Sequence, residues 1–76
     1  MTSSKIDKLV RMANQIGDFF AIQPQDKAVE GVAVHLKKFW TPKMISELNG
    51  YSLSGGAGLA PIARAALRSL AEQRER

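Results

Sequence analysis

Ile6-Asp7-Lys8-Leu9-Val10-Arg11-Met12-Ala13-Asn14-Gln15-Ile16-Gly17-Asp18-Phe19-Phe20 is the stretch that decides the fold. Its apolar positions, Ile6, Leu9, Val10, Ala13, Ile16, Gly17 and Phe20, recur at spacings of three and four, which places them on one face of an α-helix. The periodicity predicts a helix within Ser3 to Ile22. Ser3 or Ser4 offers a side-chain oxygen as N-cap, and Asp7 places a carboxylate in the first turn, facing the positive end of the helix dipole. Met12 and Phe19 lie off the main face, seven residues apart and nearly aligned. They widen the apolar surface beyond what one packed helix covers.

Working outward, Gln23-Pro24-Gln25-Asp26 is turn chemistry, because Pro24 disfavours a helical Gln23 and presets its own φ for a new first turn. A second helix follows, with Val29, Val32, Ala33, Leu36, Phe39 and Trp40 at helical spacing and Lys27, Glu30, Lys37 and Lys38 mostly off that face. Gly31 weakens it by about 1 kcal/mol relative to Ala, so the expectation is that another helix approaches its backbone closely, with Gly17 as the counterpart. Thr41-Pro42 reads as N-cap followed by N1 of a short third helix through Met44, Ile45 and Leu48, which Asn49-Gly50 is expected to stop. Tyr51 to Gly58, with three glycines in four positions, reads as a loop. The fourth helix carries the stripe Leu59, Ile62, Ala63, Ala66, Leu67 and Leu70. Nothing alternates with period two, so the expected fold is all-α, a small bundle of three to four short helices with a Gly-rich loop before the last.

A chain of 76 residues makes one domain, 1–76, and a domain of this size buries only about 60% of its unfolded surface. Eleven Lys and Arg against seven Asp and Glu leave a net charge of +4. There is no cysteine, hence no disulfide, thiolate ligand or thiol nucleophile, and one histidine cannot build a metal cluster. No apolar run approaches the roughly 18 residues of a membrane span, and the charged N-terminus does not read as a signal peptide. The expectation is a cytoplasmic protein.

Four features are candidates for chemistry. Gly55-Gly56-Ala57-Gly58 leads into a helix, so Gly56 and Gly58, with the basic Lys43 and Arg64, form a candidate anion site, although the Lys-Ser/Thr of a P-loop and the strand of a dinucleotide fold are both missing. His35 is the one side chain that ordinarily titrates near neutrality, but spacing fixes no acid or nucleophile beside it, which favours a contact role over acid–base work. Lys5, Lys8 and Arg11, Lys37 and Lys38, and Arg64 and Arg68 are basic clusters interleaved with acids, a weak nucleic-acid signal. Finally, Phe19, Phe20, Phe39, Trp40, Met12 and Met44 exceed what a core this small needs. Aromatic and Met residues are enriched at the centres of protein interfaces. Met12, Phe19, His35, Phe39, Trp40, Lys43 and Met44 are therefore the expected partner interface, with Trp40 as anchor.

Three strings carry a resemblance: Leu9 to Phe20 with its Met-Ala-Asn-Gln-Ile-Gly run and paired Phe, then His35-Leu36-Lys37-Lys38-Phe39-Trp40-Thr41-Pro42-Lys43-Met44, then Gly58-Leu59 with Ala65-Ala66-Leu67. Together they resemble the delta subunit of soluble NAD-dependent formate dehydrogenases over nearly the whole chain. Thr41 and Lys43 stand where Asp and Arg are frequent in that family, which keeps an N-cap and a positive charge. The resemblance implies a non-catalytic accessory subunit that supports assembly, cofactor insertion or stability of the large (alpha) subunit. That complex would carry bis-molybdopterin guanine dinucleotide with molybdenum or tungsten, iron–sulfur clusters, FMN and NAD, all on other chains. Two alternatives from other classes stay open: an anion- or nucleotide-binding module in molybdenum cofactor maturation, and a basic nucleic-acid-binding helical domain. The isolated chain is also a candidate homodimer through its apolar face.

Overall fold

The computed structural model describes residues 5–74, which form four helices: α1 (Lys5–Phe20), α2 (Gln25–Phe39), α3 (Pro42–Leu53) and α4 (Pro61–Arg74). No strand occurs among the described residues, as the sequence periodicity predicts. The expected Ser3 or Ser4 cap lies outside the described residues.

α1 stops at Phe20 rather than Ile22. The chain turns there through hydrogen bonds from Ala21 N–H to the Asp18 carbonyl and from Gln23 N–H to the Phe20 carbonyl. Pro24 then occupies the N-cap position of α2 with an extended backbone, and its carbonyl accepts from Ala28 N–H. At the far end, Lys37 and Lys38 sit in the last turn, where they complement the negative end of the helix dipole. Trp40 then adopts an extended ψ that ends α2. Thr41 caps α3: its Oγ1 accepts from Met44 N–H at 3.2 Å, with Pro42 in the first turn.

α3 does not stop at Asn49-Gly50 but continues to Leu53. Gly50 lies in the helix with open space where a Cβ would sit, so its cost is one of propensity alone, about 1 kcal/mol. Continuing the helix brings Tyr51 to the loop, where its hydroxyl donates to the Ala57 carbonyl at 2.6 Å. The real terminator is a Schellman motif. Gly56 N–H donates to the Tyr51 carbonyl and Gly55 N–H to the Ser52 carbonyl, at 3.0 and 3.3 Å. Gly55 and Gly56 have φ of 130° and 63°, a region that side chains with a Cβ avoid.

The helices close around Leu36, Leu48, Leu67 and Val32, the largest side chains fully removed from solvent. α2 and α4 make the most extensive helix pair. Ala13, Ala28, Ala33, Ala63 and Ala66 are buried as well, and such small side chains let helix backbones come close. Leu59 is buried ahead of α4 rather than within it. Gly17 and Gly31 are not counterparts. Gly17 faces Ile62 of α4, 3.9 Å from where a Cβ would be, whereas a Cβ on Gly31 would lie 2.6 Å from Cδ1 of Phe20. The absent side chain of Gly31 makes room for an aromatic ring, not for a helix backbone.

Candidate functional site: an apolar groove beside a polar latch

α1, α2 and α3 leave a groove of about 610 Å³ between them. Met12, Gln15, Ile16, Phe19 and Phe20 line it from α1, His35 and Phe39 from α2, and Trp40 and Met44 from the turn into α3. Phe20 bends inward over Gly31, and Phe19 packs edge-on against it with ring centroids 5.1 Å apart. His35 lies one turn before Phe39, and the two rings are 4.7 Å apart at a 40° tilt. Phe19 and Phe39 remain 75% and 70% exposed. Two phenyl rings held against their neighbours by aromatic contacts, yet mostly in water, form a preorganised apolar surface.

Six of the seven expected interface residues, Met12, Phe19, His35, Phe39, Trp40 and Met44, therefore line one groove. The seventh, Lys43, is exposed at the start of α3 beside Met44. Trp40 does not project as an anchor. It is 7% exposed and belongs to the core, because the extended backbone at the α2 C-cap turns it inward, so it floors the groove instead. The outward anchors are the two phenylalanines.

Charges of both signs surround the groove. Lys8 lies one turn before Met12 on α1, Lys38 adjoins Phe39, Lys43 adjoins Met44, and all three lysines are exposed. At 100° per residue, Lys8 falls about 20° beyond Phe19 and about 40° from Met12, on the groove side of α1, whereas Asp18 and Asp7 fall about 100° and about 120° from Phe19. Glu47 of α3 is bridged to Lys5 of α1 at 3.8 Å. On α2, Glu30 stands with Lys27 and Lys38 in the hollow behind Phe39, and it also lines, with Asp26, the depression facing Ser69 and Gln73 of α4.

The expected anion candidates do not form one cradle. Four of the N–H groups around the Gly-rich loop are already engaged: Gly55 with the Ser52 carbonyl, Gly56 with the Tyr51 carbonyl, Leu59 with the Gly56 carbonyl, and Ala60 with Asn14 Oδ1. Gly58 contributes its carbonyl, which accepts from Asn14 Nδ2 at 2.8 Å. The Arg64 guanidinium lies against Gly56, 3.4 Å from where its Cβ would be, and lines a hollow with Arg68, Ser52 and Leu53 that does not include Lys43. Among the described residues, no three His, Asp or Glu side chains converge as a metal site would need.

The side chain that sequence reasoning missed is Asn14. Its Oδ1 accepts from Ala60 N–H and its Nδ2 donates to the Gly58 carbonyl, both at 2.8 Å, so one amide from α1 satisfies both sides of the entry to α4. Ala60 has no side-chain oxygen to cap α4 itself, and Asn14 makes the missing polar contact from another helix. The Asn-Gln pair at fixed positions within α1 was the available signal. A polar residue between apolar positions reads otherwise as a solvated flank.

No curated protein and no solved structure matches this chain. A family model does: residues 8–67, which span the Asn14 latch, every residue of the groove and the Gly-rich loop, match the NADH-dependent formate dehydrogenase delta subunit family, FdsD. The chain belongs to that family.

Proposed function

We propose that this chain is a non-catalytic accessory subunit of a cytoplasmic NAD-dependent formate dehydrogenase, docking on the large molybdopterin-binding subunit to support its assembly, cofactor insertion or stability. Membership of the delta-subunit family implies partner subunits. The observation that carries the docking role is the groove flanked by Phe19 and Phe39, an apolar surface that water alone covers in the isolated chain. Such a surface on a charged chain is a recognition site in the ordinary economy of folded proteins. The redox groups of the complex, namely molybdenum or tungsten on the bis-pterin guanine dinucleotide, iron–sulfur clusters and FMN, belong on this reading to the other subunits. This chain contains no cysteine with which to hold a cluster.

The test is reconstitution. A formate dehydrogenase complex produced without this chain should bind it when it is added back, and should differ from the complete complex in metal and pterin content or in thermal stability. The chain alone, given formate and NAD, should make no NADH. Turnover by the isolated chain, or failure of the large subunit to retain it, would overturn the proposal.

A further inference from the structure

The α3–α4 side of the molecule carries a second hollow, of about 650 Å³, which shares no lining residue with the groove. Asn49 and Ser52 line it from α3, and Arg64 and Arg68 from α4. The two arginines stand one turn apart, about 40° around the helix, and so belong to one wall. Among the described residues neither guanidinium forms an ion pair or a hydrogen bond, and the Asn49 amide and the Ser52 hydroxyl are equally unengaged.

Arg64 is nevertheless held in place. Its Nε and Cζ lie 3.4 Å from where a Cβ on Gly56 would be, so the guanidinium rests on a glycine of the loop. The acceptors that an arginine beside a helix C-terminus ordinarily takes are filled: the Gly50, Tyr51 and Ser52 carbonyls of α3 already accept from the N–H groups of Ser54, Gly56 and Gly55. Packing thus fixes the side chain and leaves its donors without a partner in the chain. Glu72, one turn beyond Arg68, is the carboxylate in the lining, and it forms no ion pair with Arg68. Two guanidinium groups against one carboxylate keep the hollow net positive.

We propose that this hollow binds a phosphate-type oxyanion. Guanidinium groups hold such anions through paired N–H donors, and the Asn49 amide and Ser52 hydroxyl add donors from the other wall. Donors drawn from two helices suit a tetrahedral group, whose oxygens point several ways, better than a planar carboxylate. The lining includes no aromatic ring on which a base could stack, and two arginines do not make the extended basic stripe of a nucleic-acid surface. The ligand is therefore a single phosphate group, either the free ion or one carried on a small molecule. This assignment does not depend on the docking reading above.

The test is a nuclear magnetic resonance titration of the isotopically labelled full chain with inorganic phosphate, glycerol phosphate and acetate, each matched against chloride at equal ionic strength. Phosphate should produce saturable shifts at Ser52, Arg64 and Arg68 that chloride and acetate do not. Arg68→Gln, at an exposed position, should weaken binding about tenfold. Arg68→Lys should weaken it roughly threefold, because the charge stays while the fork is lost. Lys43→Gln, outside the hollow, should change nothing. Retained chemical-shift dispersion reports that each variant folds. Tighter binding of glycerol phosphate would assign the site to an organic phosphate, and tighter binding of inorganic phosphate to the free ion. Shifts that chloride reproduces, that acetate matches, or that survive Arg68→Gln undiminished would overturn the proposal, as would phosphate shifts centred on Lys43. None of these outcomes bears on the groove, so the docking reading stands or falls separately.

Discussion

The two sides of the α1–α2 pair are built from opposite materials. In the buried core they contribute Ala13, Val32 and Ala33, clustered with Ala63, Ala66 and Leu67 of α4, and Gly17 lies against Ile62. Toward the groove they present Met12, Phe19, His35 and Phe39. Small side chains allow a helix to close down, and the α4 side holds the buried core. Large flexible or aromatic side chains hold neighbours apart, and the groove side stands open. In this molecule side-chain size, more than hydrophobicity, separates the surface that the fold satisfies internally from the one it leaves for a partner.

That contrast breaks most sharply at Leu36 and Phe39, neighbours on α2. Leu36→Ala should cost about 2–5 kcal/mol, because it opens a cavity in a fully enclosed site. Phe39→Ala should change stability by no more than about 0.5 kcal/mol and yet lose the partner. Urea denaturation of both variants decides it: a Phe39 variant as unstable as the Leu36 one would mean the groove is core.

On the α4 side, Asn14→Ala removes both hydrogen bonds of the latch and should cost about 1–2 kcal/mol. Hydrogen exchange would localise the loss, with amides of the first turn of α4 losing protection before those of α2. At the groove's edge, Thr41→Ala should lower the thermal midpoint by an amount equivalent to about 1 kcal/mol, through loss of the bond to Met44 N–H. Thr41→Asp keeps the acceptor, adds a favourable dipole interaction and should match the parent.

The glycines give the smallest and most diagnostic effects. Gly50→Ala, in open space within a helix, should stabilise by up to about 1 kcal/mol. Gly31→Ala gains the same propensity but forces Phe20 aside, and should come out neutral to destabilising by about 1 kcal/mol. Calorimetry showing both variants equally stabilised would mean that Phe20 swings out freely, and that the groove's wall is soft.

Most of the architecture was legible because it rests on local chemistry. The 3.6-residue stripes of α1, α2 and α4, the break at Pro24 and the Thr41-Pro42 cap all act over a few residues, and all appear in the structure. The end of α3 was misplaced because Asn49-Gly50 is a genuine stop signal by propensity, overridden by a glycine pair five residues later that binds the carbonyls of the last turn. The groove residues were legible as a surplus of aromatic and Met side chains, but Trp40 was not separable from Phe39 until the backbone turned it inward. Asn14 was illegible for a deeper reason: its partners, Gly58 and Ala60, lie more than forty residues along the chain.

That separation has a consequence for the order in which the molecule assembles. α4 begins at a proline preceded by an alanine, so its first turn has no side-chain cap of its own and depends on an amide that arrives only once α1 has docked. Alone, α4 should fray from its leading end, and a 14-residue helix is marginal in water to begin with. The closing of the bundle and the completion of its last helix are thus one event, which ties a local transition to a distant one and sharpens the cooperativity of folding in a domain with little core to spare.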